Sequence, residues 1–214
     1  MTGKRSRAET RTRMIDAAIG VFSERGYAGA SIEAIARESG MTIGALYSNF
    51  SGKRELFLAA LRVSTGQGVE AGPQELDTDL VGDARDRLLA DGTGFMTQVR
   101  AQPQRFRLLV WSMMDAANDP EVRSVVTEVL REQRQVQRDL LAECNIEASS
   151  GLTPEQGAVA LNSMAIGFAL QQMVDPELVN SAEGAEALRA FVTAIAEPAE
   201  LAPSGQASGA AASV

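Results

Sequence analysis

The helical spacing of apolar residues constrains the fold of this 214-residue chain more than any other feature of its sequence. Ile15, Ala18, Ile19 and Phe22 lie three or four residues apart, which places them on one face of an α-helix. Helical patterns return in five later segments: 83–100, 106–114, 122–141, 154–174 and 185–195. Alternating runs rich in Val, Ile and Thr, which are typical of β-strands, are scarce. The sequence therefore predicts an all-α protein.

Two short helices are indicated in the first quarter of the chain. Ser31 has the place of a helix N-cap, Gly40 ends that helix after about eight residues, and Thr42 caps the next one. Ala36, four residues before Gly40, leaves room for the second helix to cross closely. This spacing predicts a helix-turn-helix, whose second helix enters the major groove of DNA.

The charge of the chain is unevenly distributed. Its net charge is −8, which taken alone argues against a nucleic-acid partner. Residues 1–62, however, carry a net charge of +4, and residues 63–214 carry −12. A basic N-terminal part (residues 1–62, the head) followed by an acidic part (residues 63–214, the body) indicates two functions in one chain.

The residue types that are missing exclude several chemistries. The sequence has no histidine and one cysteine, Cys144, which removes His-dependent nucleophiles, His-ligated metals and cysteine-cluster metal sites. We therefore predict no catalytic residue, no metal site and no cofactor. The enzymatic alternative is an all-helical lyase with paired acids, but Asp77, Asp79 and Asp83 lack metal-type spacing on one helix face. No segment has the pattern of a secretion signal or a clear membrane span, so we expect a cytoplasmic protein without a membrane partner.

A motif in the head carries a family resemblance. Its residues are Ile15, Ala17, Ala18 and Phe22, then Gly26 and Tyr27, then Ser31, Ile35, Ala36 and Gly40, then Gly44, Leu46, Tyr47 and Phe50, then Lys53 and Leu56. Through them, residues 10–61 resemble the DNA-binding domain of the TetR family of bacterial transcriptional regulators. Ala30 and Ser51 depart from that pattern, in which a hydroxyl residue and a proline are frequent at these positions.

The resemblance implies a DNA-binding surface. The candidate residues are Ser31, Thr42, Ile43, Gly44, Tyr47, Ser48, Lys53, Arg5, Arg7 and Arg11. Tyr47 and Lys53 match positions that usually contact phosphates, and residues 42–44 match the start of the recognition helix. An apolar Ile43 can meet a thymine methyl group, and Lys53 begins a helix whose dipole favours a phosphate. The alternatives are that Tyr47 and Ile43 pack in the core and that the arginines are merely solvated.

The body has more apolar side-chain volume than a domain that only supports the head would need. Candidate ligand-binding residues are Phe95, Met96, Phe106, Trp111, Met114, Asn162, Met164 and Phe168. Methionine adapts to variable apolar ligands, and Asn162 would orient a ligand by hydrogen bonds, pair with Gln171 or pair across an interface. The alternative is that most of these side chains fill the core.

The last two helices carry more apolar surface than the exterior of a monomer. The segment 154–174 is apolar nearly all round, so we expect it to be buried on more than one side. The resemblance implies that these two helices form a four-helix homodimer interface. A two-fold dimer would present two recognition helices to a palindromic operator.

The sequence thus divides into four parts: a flexible basic arm (1–9), a three-helix DNA-binding domain with a helix-turn-helix (10–62), a larger helical ligand-binding and dimerisation domain (63–197) and a disordered tail (198–214). We predict a sequence-specific, DNA-binding transcriptional regulator. It would be a repressor released from its operator when a small, largely apolar molecule binds the body. The alternative is a constitutive dimeric regulator without a small-molecule effector.

Overall fold

The computed structural model describes residues 7–66, 83–177 and 181–196. Within these ranges, 86% of the residues are helical and none lies in a β-strand, so the predicted all-α class is confirmed. The helices of this part are α1 (Arg7–Gly29), α2 (Ile32–Ser39), α3 (Ile43–Asn49), α4 (Lys53–Ser64), α5 (Ala84–Ala101), α6 (Pro103–Asp115), α7 (Pro120–Glu143), α8 (Ile146–Ser150), α9 (Pro154–Val174) and α10 (Ser181–Ala196).

Helices α1–α4 form the head. The apolar stripe of α1 is buried, with Ile15 and Phe22 at its centre, as its spacing predicts. The ring of Phe22 packs edge-on against Phe57 of α4, with 4.9 Å between the ring centroids. Helices α2 and α3 lie at the edge of this core, where Leu46 and Phe50 anchor α3. The head is therefore a small bundle that supports one short helix at its surface.

One prediction about α1 was wrong in detail. The helix begins at Arg7, so residues 7–9 form its first turn and do not belong to a flexible arm. At its other end the helix is kinked at Gly26, whose φ of 67° interrupts it, and it continues to Gly29. The predicted flexible residues before position 7 and the predicted disordered tail over 198–214 lie outside the described residues.

Helices α5–α10 form the body. Its long members are α7, which packs against α4 as well as α9, and α9 itself, which also contacts α5, α8 and α10. Asp119 and Thr153 are the N-caps of α7 and α9, and a proline follows each. Helix α9 is long and apolar enough to cross a membrane, but a helix of a soluble bundle passes the same test. Its contacts with four neighbouring helices identify it as part of the bundle.

The buried side chains form two clusters. The first joins the head to the near part of the body, and it includes Phe57 of α4, Phe106 of α6 and Val125 of α7. The second lies further along the body and includes Leu140 of α7 and Val192 of α10. The first cluster makes the head and the start of α7 one packed unit, so a shift of α7 is felt by the head. The domain boundary after residue 62 stays a prediction, because α4 runs across it to Ser64.

Candidate nucleic-acid interface and body cavity

Local capping builds the helix-turn-helix. The Ser31 hydroxyl accepts a hydrogen bond from the Ala34 amide at 3.2 Å, and the Thr42 hydroxyl accepts one from the Ala45 amide at 3.1 Å. Between the helices, Gly40 adopts a left-handed conformation with φ 65° and ψ 29°, which favours glycine. Both predicted N-caps and the predicted turn glycine are therefore confirmed.

Helix α3 divides cleanly into a buried side and an exposed side. Leu46 and Phe50 are almost completely buried, whereas 42% of Ile43 and 56% of Tyr47 are exposed. The remaining candidates on this helix are also exposed: Thr42, Gly44 and Ser48. Since neither Ile43 nor Tyr47 packs in the core of this chain, the packing alternative is removed for both. The exposed side thus combines an aromatic ring, a branched apolar side chain and two hydroxyl groups on a firmly held helix.

The candidate arginines have different surroundings. Arg7 is exposed in the first turn of α1, and Arg5 lies outside the described residues. Arg11 donates a hydrogen bond to the Asn49 carbonyl at 3.1 Å, and its guanidinium lies 4.3 Å from the centroid of the Phe50 ring. Arg11 therefore holds the end of α3 in place. The N–H groups that it does not use for this bond are the ones that could donate to a phosphate.

Lys53 is the first residue of α4, as the sequence predicts for a phosphate contact. Its ammonium lies 4.4 Å from the centroid of the Tyr27 ring. The Tyr27 hydroxyl in turn donates a 2.6 Å hydrogen bond to the carboxylate of Glu121, in the first turn of α7. Burial and this bond to Glu121 raise the pKa of Tyr27 above its usual range. A chain of contacts therefore runs from the body, through Tyr27, to the lysine at the N-terminal end of α4.

Ion pairs also join α4 to α7. Arg62 pairs with Glu132 and with Glu128, and the shorter contact is to Glu132. Arg54 reaches Glu128 at 3.2 Å. These carboxylates raise the pKa of Arg62, with Glu132 the larger cause. Two of the basic charges of the head thus serve the junction with the acidic body.

Four of the eight candidate ligand residues lie in the interior of the body. Phe95 and Asn162 line one small cavity between α5, α6, α7 and α9. Met96 and Phe106 are fully buried in the core. The Asn162 amide pairs with Gln137 of α7, whereas the Gln171 amide, its expected partner, donates to the Gly167 carbonyl.

The other four candidates do not reach this cavity. Trp111 lies half exposed in an open groove between the end of α1 and α6, and Met114 is exposed nearby on α6. Met164 packs beside the second core cluster, and Phe168 lies against Gly184 of α10. The structure thus places Phe95 and Asn162 on the lining of one cavity and packs Phe106 edge-on against Phe95, with 6.0 Å between the ring centroids, whereas the other five candidates do not line it.

Two polar residues that line the cavity, Asp91 and Gln137, were not predicted from the sequence. Asp91 of α5 lines the cavity and accepts a 3.1 Å hydrogen bond from the Gln137 side chain. A signal for it existed, because Asp91 lies three residues after Leu88 and four before Phe95, on the apolar face of α5. A charged residue on the buried face of a helix requires a partner or a function.

One side of helix α9 is exposed. From its sequence we expected this helix to be buried on more than one side. Val159, Leu170 and Val174 share a stripe along the helix, and 87% of Val174 is exposed. Exposed small residues, Ala190 and Ala194, lie on the neighbouring α10. An apolar stripe of this length on a surface marks an interaction site.

Comparisons with known proteins agree with the two-part structure. Residues 14–60 match the family of bacterial regulatory proteins called tetR, and residues 84–197 match the C-terminal domain of the BetI-type transcriptional repressors. The HTH-type transcriptional activator FasR of Mycolicibacterium smegmatis is 34% identical over 120 residues. That alignment covers 56% of this chain and 53% of FasR, so the chain spans about half the length of this relative.

Solved structures have the same fold over most of the chain. NalD, the secondary repressor of the MexAB-OprM multidrug efflux pump in Pseudomonas aeruginosa, is 27% identical with a TM-score of 0.63, and the match covers 87% of this chain and 96% of NalD. A transcriptional regulator from Saccharomonospora viridis, in complex with choline, is 18% identical with a TM-score of 0.63, covering 87% of this chain and 96% of that one. The chain belongs to the TetR family of bacterial transcriptional regulators, and its body is a BetI-type C-terminal domain.

Proposed function

We propose that this protein is a cytoplasmic, homodimeric repressor that leaves a palindromic operator when a small molecule binds its body. The observation that carries the DNA-binding part is the exposed side of α3, where Ile43 and Tyr47 are held outward by the buried Leu46 and Phe50. Folding gains nothing from exposing these two side chains, whereas a groove of DNA offers methyl groups and phosphates to both.

The proposed contacts divide into positioning and reading. Tyr47, Lys53 and the arginines near the start of α1 would hold the phosphate backbone. Thr42, Ile43 and Gly44 would face base edges, because they begin the recognition helix. Ser48 and Ser31 would add hydroxyl contacts beside them. Because the residues proposed to face base edges have small side chains, sequence-dependent DNA shape would also contribute to specificity.

Fluorescence anisotropy with labelled DNA tests this part. The probe is the duplex upstream of the protein's own gene, with a scrambled duplex as reference, at two salt concentrations. We expect Lys53→Ala to weaken binding to both duplexes and to lower the salt slope by about one per subunit. Thr42→Ala should instead change the preference between duplexes. Arg131→Ala, which removes an exposed charge from the body, is the matched control and should leave both unchanged. Equal affinity for both duplexes in the wild-type protein would count against an operator at this position.

The apolar stripe on α9 supports the homodimer. Val159, Leu170 and Val174 would be covered by a second copy, and the alanines of α10 would let the two chains approach closely. We expect Leu170→Glu to shift the protein from dimer to monomer in analytical ultracentrifugation and to weaken operator binding. Met114→Glu introduces the same charge at an exposed apolar site outside the stripe, and it should leave the dimer intact. Two variants that sediment alike would place the interface elsewhere.

Ligand control is supported by the position of the cavity. It lies against α7, and α7 carries the carboxylates that pair with Arg54 and Arg62 of α4. A ligand that moves α7 would move α4 and so change the distance between the two recognition helices of a dimer. The choline complex of the Saccharomonospora viridis protein is consistent with effector binding in this fold. NalD is a repressor and FasR an activator, so transcription from the operator must be measured with and without the protein.

A constitutive regulator without an effector is the second candidate, and the size of the cavity favours it. The volume of about 20 Å³ holds a single water molecule, not a drug-sized ligand. If saturating ligand leaves operator affinity unchanged, the constitutive reading is correct. Release of the duplex from wild-type protein by a ligand that binds the body would exclude it.

A further inference from the structure

Two arginines of α1 contact the carboxyl ends of the two helices in the helix-turn-helix. Arg13 donates a 3.0 Å hydrogen bond to the carbonyl of Ser39, the last residue of α2. Arg11 donates its 3.1 Å bond to the carbonyl of Asn49, the last residue of α3. The final carbonyls of an α-helix have no partner within the helix. Each arginine therefore satisfies a group that its own helix leaves unpaired.

Helices α2 and α3 depend on such contacts because they are short. They have eight and seven residues, and isolated helices of this length are not stable in water. The buried anchors of α3, Leu46 and Phe50, are four residues apart and therefore lie on one face. Two anchors on one line prevent the helix from sliding, but they resist rotation about that line less well. A further contact away from the line is needed to fix the angle of the exposed side.

Arg11 provides this further contact at the end of α3. Its guanidinium lies 4.3 Å from the centroid of the Phe50 ring while it bonds to the Asn49 carbonyl, so it contacts both side chain and backbone there. The last turn of α3 has no basic residue of its own. A positive charge is favourable at that place, because the carboxyl end of a helix carries a partial negative charge.

The guanidinium of Arg13 is directed into the head. Its Nη2 atom bonds to the Ser39 carbonyl, and its Nη1 atom is buried without a hydrogen-bond partner among the described residues. A Cβ atom at Gly40 would lie 3.6 Å from Nη2, so the guanidinium lies against the turn that joins α2 to α3. With Nη2 engaged and Nη1 enclosed, Arg13 is not placed to contact a phosphate.

We propose that Arg11 and Arg13 are positioning residues, which fix the angle of α3 against α1 and thereby set the preference of the protein for its operator. The inference rests on the proposed DNA-binding function and adds residues that act on recognition without reading a base. Arg13 does so without contacting DNA, whereas Arg11 keeps N–H groups for a phosphate as well.

The two kinds of DNA contact differ in how precisely α3 must be placed. Contacts with base edges require placement within about 0.5 Å, whereas the phosphate backbone is the same for every sequence. A helix that rotates by a small angle therefore loses base contacts before it loses its general attraction to DNA. Loss of the Arg13 contact should reduce sequence preference more than affinity for DNA of any sequence.

Fluorescence anisotropy with the full-length variant Arg13→Met tests the inference. The substitution keeps most of the apolar stem and removes the guanidinium. On the duplex that the wild-type protein prefers, we expect affinity to fall by about tenfold or more. Affinity for a scrambled duplex and the salt slope on both should stay as in the wild-type protein, since no phosphate contact is lost. Arg25→Met is the matched control, because it removes the same charge from an exposed position near the other end of α1 and should change neither affinity.

Either of two results would overturn the inference. A folded Arg13→Met that binds the preferred duplex like the wild-type protein would show that Arg13 serves stability alone. A loss on both duplexes, with a salt slope lower by about one per subunit, would make Arg13 a phosphate ligand. Urea denaturation establishes whether the variant is folded. If it is not, Arg13→Lys decides: its ammonium lacks the planar fork of the guanidinium and should weaken operator binding by about threefold or more, and wild-type affinity would reject the inference.

Hydrogen exchange of the free protein separates this inference from the proposed function. Amides of residues 41–50 should exchange several-fold faster in Arg13→Met than in the wild-type protein, and those of α10 at the wild-type rate. If the wild-type protein prefers neither duplex, the proposed operator is wrong, and exchange then tests the positioning role by itself. Unchanged exchange over residues 41–50 would reject that role. Operator preference that survives Arg13→Met would reject the inference and leave the DNA-binding function standing.

Discussion

The head exposes its candidate functional side chains, whereas the body encloses its own around a cavity. The head presents Ile43 and Tyr47 outward on a helix fixed by two buried side chains, whereas the body encloses Asp91 and Asn162 around a volume of about 20 Å³. DNA can dock on the first without rearranging it. A ligand cannot enter the second without moving helices. Under the proposed function, the exposed side of α3 would be a rigid surface for reading DNA, and the body cavity would be a control site that works by moving helices.

The two halves meet at contacts that can transmit such a movement. The core around Phe57 and Phe106 joins the head to α6 and to the start of α7. Polar contacts from Tyr27 and Arg62 reach α7 at Glu121 and Glu132. If a ligand moves α7, a head attached to it at several points would be displaced as a whole, which is what a change of spacing in a dimer requires.

The largest expected change in the free energy of unfolding comes from removing a buried side chain that anchors α3. Leu46→Ala removes a completely buried side chain and should lower the free energy of unfolding by about 2–5 kcal/mol. Tyr47→Ala, one residue later on the exposed side, should change it by less than about 1 kcal/mol yet weaken DNA binding. Urea denaturation and anisotropy measure the two quantities. A large loss of stability in Tyr47→Ala would show that Tyr47 belongs to the core and not to the reading surface.

A close helix contact in the body gives the next largest effect. A Cβ atom at Gly92 of α5 would lie 2.0 Å from a methyl group of the buried Leu188 on α10. Gly92→Ala should therefore lower the free energy of unfolding by about 1–3 kcal/mol. Gly94→Ala, on the same helix with nothing within 4 Å, should raise it by up to about 1 kcal/mol through helix propensity. If both variants gain stability, α5 and α10 are less closely packed than described.

Most of the head could be predicted because its signals are local. Ser31, Gly40 and Thr42 act on amides within three or four residues of themselves, so their roles follow from a short stretch of sequence. The long-range contacts of the head did not follow. Tyr27 meets Glu121 across 94 positions, and the residue types alone do not specify that pairing.

The site in the body was harder to predict for the same reason. Apolar residues were selected by type, and the structure distributes them among core, groove and surface. Asp91 and Gln137, which define the cavity, are 46 positions apart and meet only because α5 packs on α7. Sequence periodicity identifies the buried face of each helix, but it does not identify which faces meet.

A smaller effect is expected at the hydrogen bond between head and body. Tyr27→Phe keeps the ring beneath the Lys53 ammonium and removes the 2.6 Å bond to Glu121. The free energy of unfolding should fall by about 1 kcal/mol, since a bond to a partly solvated carboxylate is lost. Tyr47→Phe is the control, because its hydroxyl group is on an exposed side chain and should not affect stability. Two variants of equal stability in urea would mean that the Tyr27 hydroxyl does not hold the junction.

The smallest effects separate the two ion pairs between α4 and α7. The side chains of Arg62 and Glu132 are 23% and 24% exposed, whereas those of Arg54 and Glu128 are 45% and 36% exposed. Double-mutant cycles with alanine should give a coupling energy of about 0.5–1 kcal/mol for the first pair and less than about 0.5 kcal/mol for the second. Added salt should reduce the second coupling more, because exposed charges are screened more strongly. Couplings near zero for both pairs would mean that neither pair holds the head on α7, and the apolar core would then be the route by which a movement of α7 reaches α3.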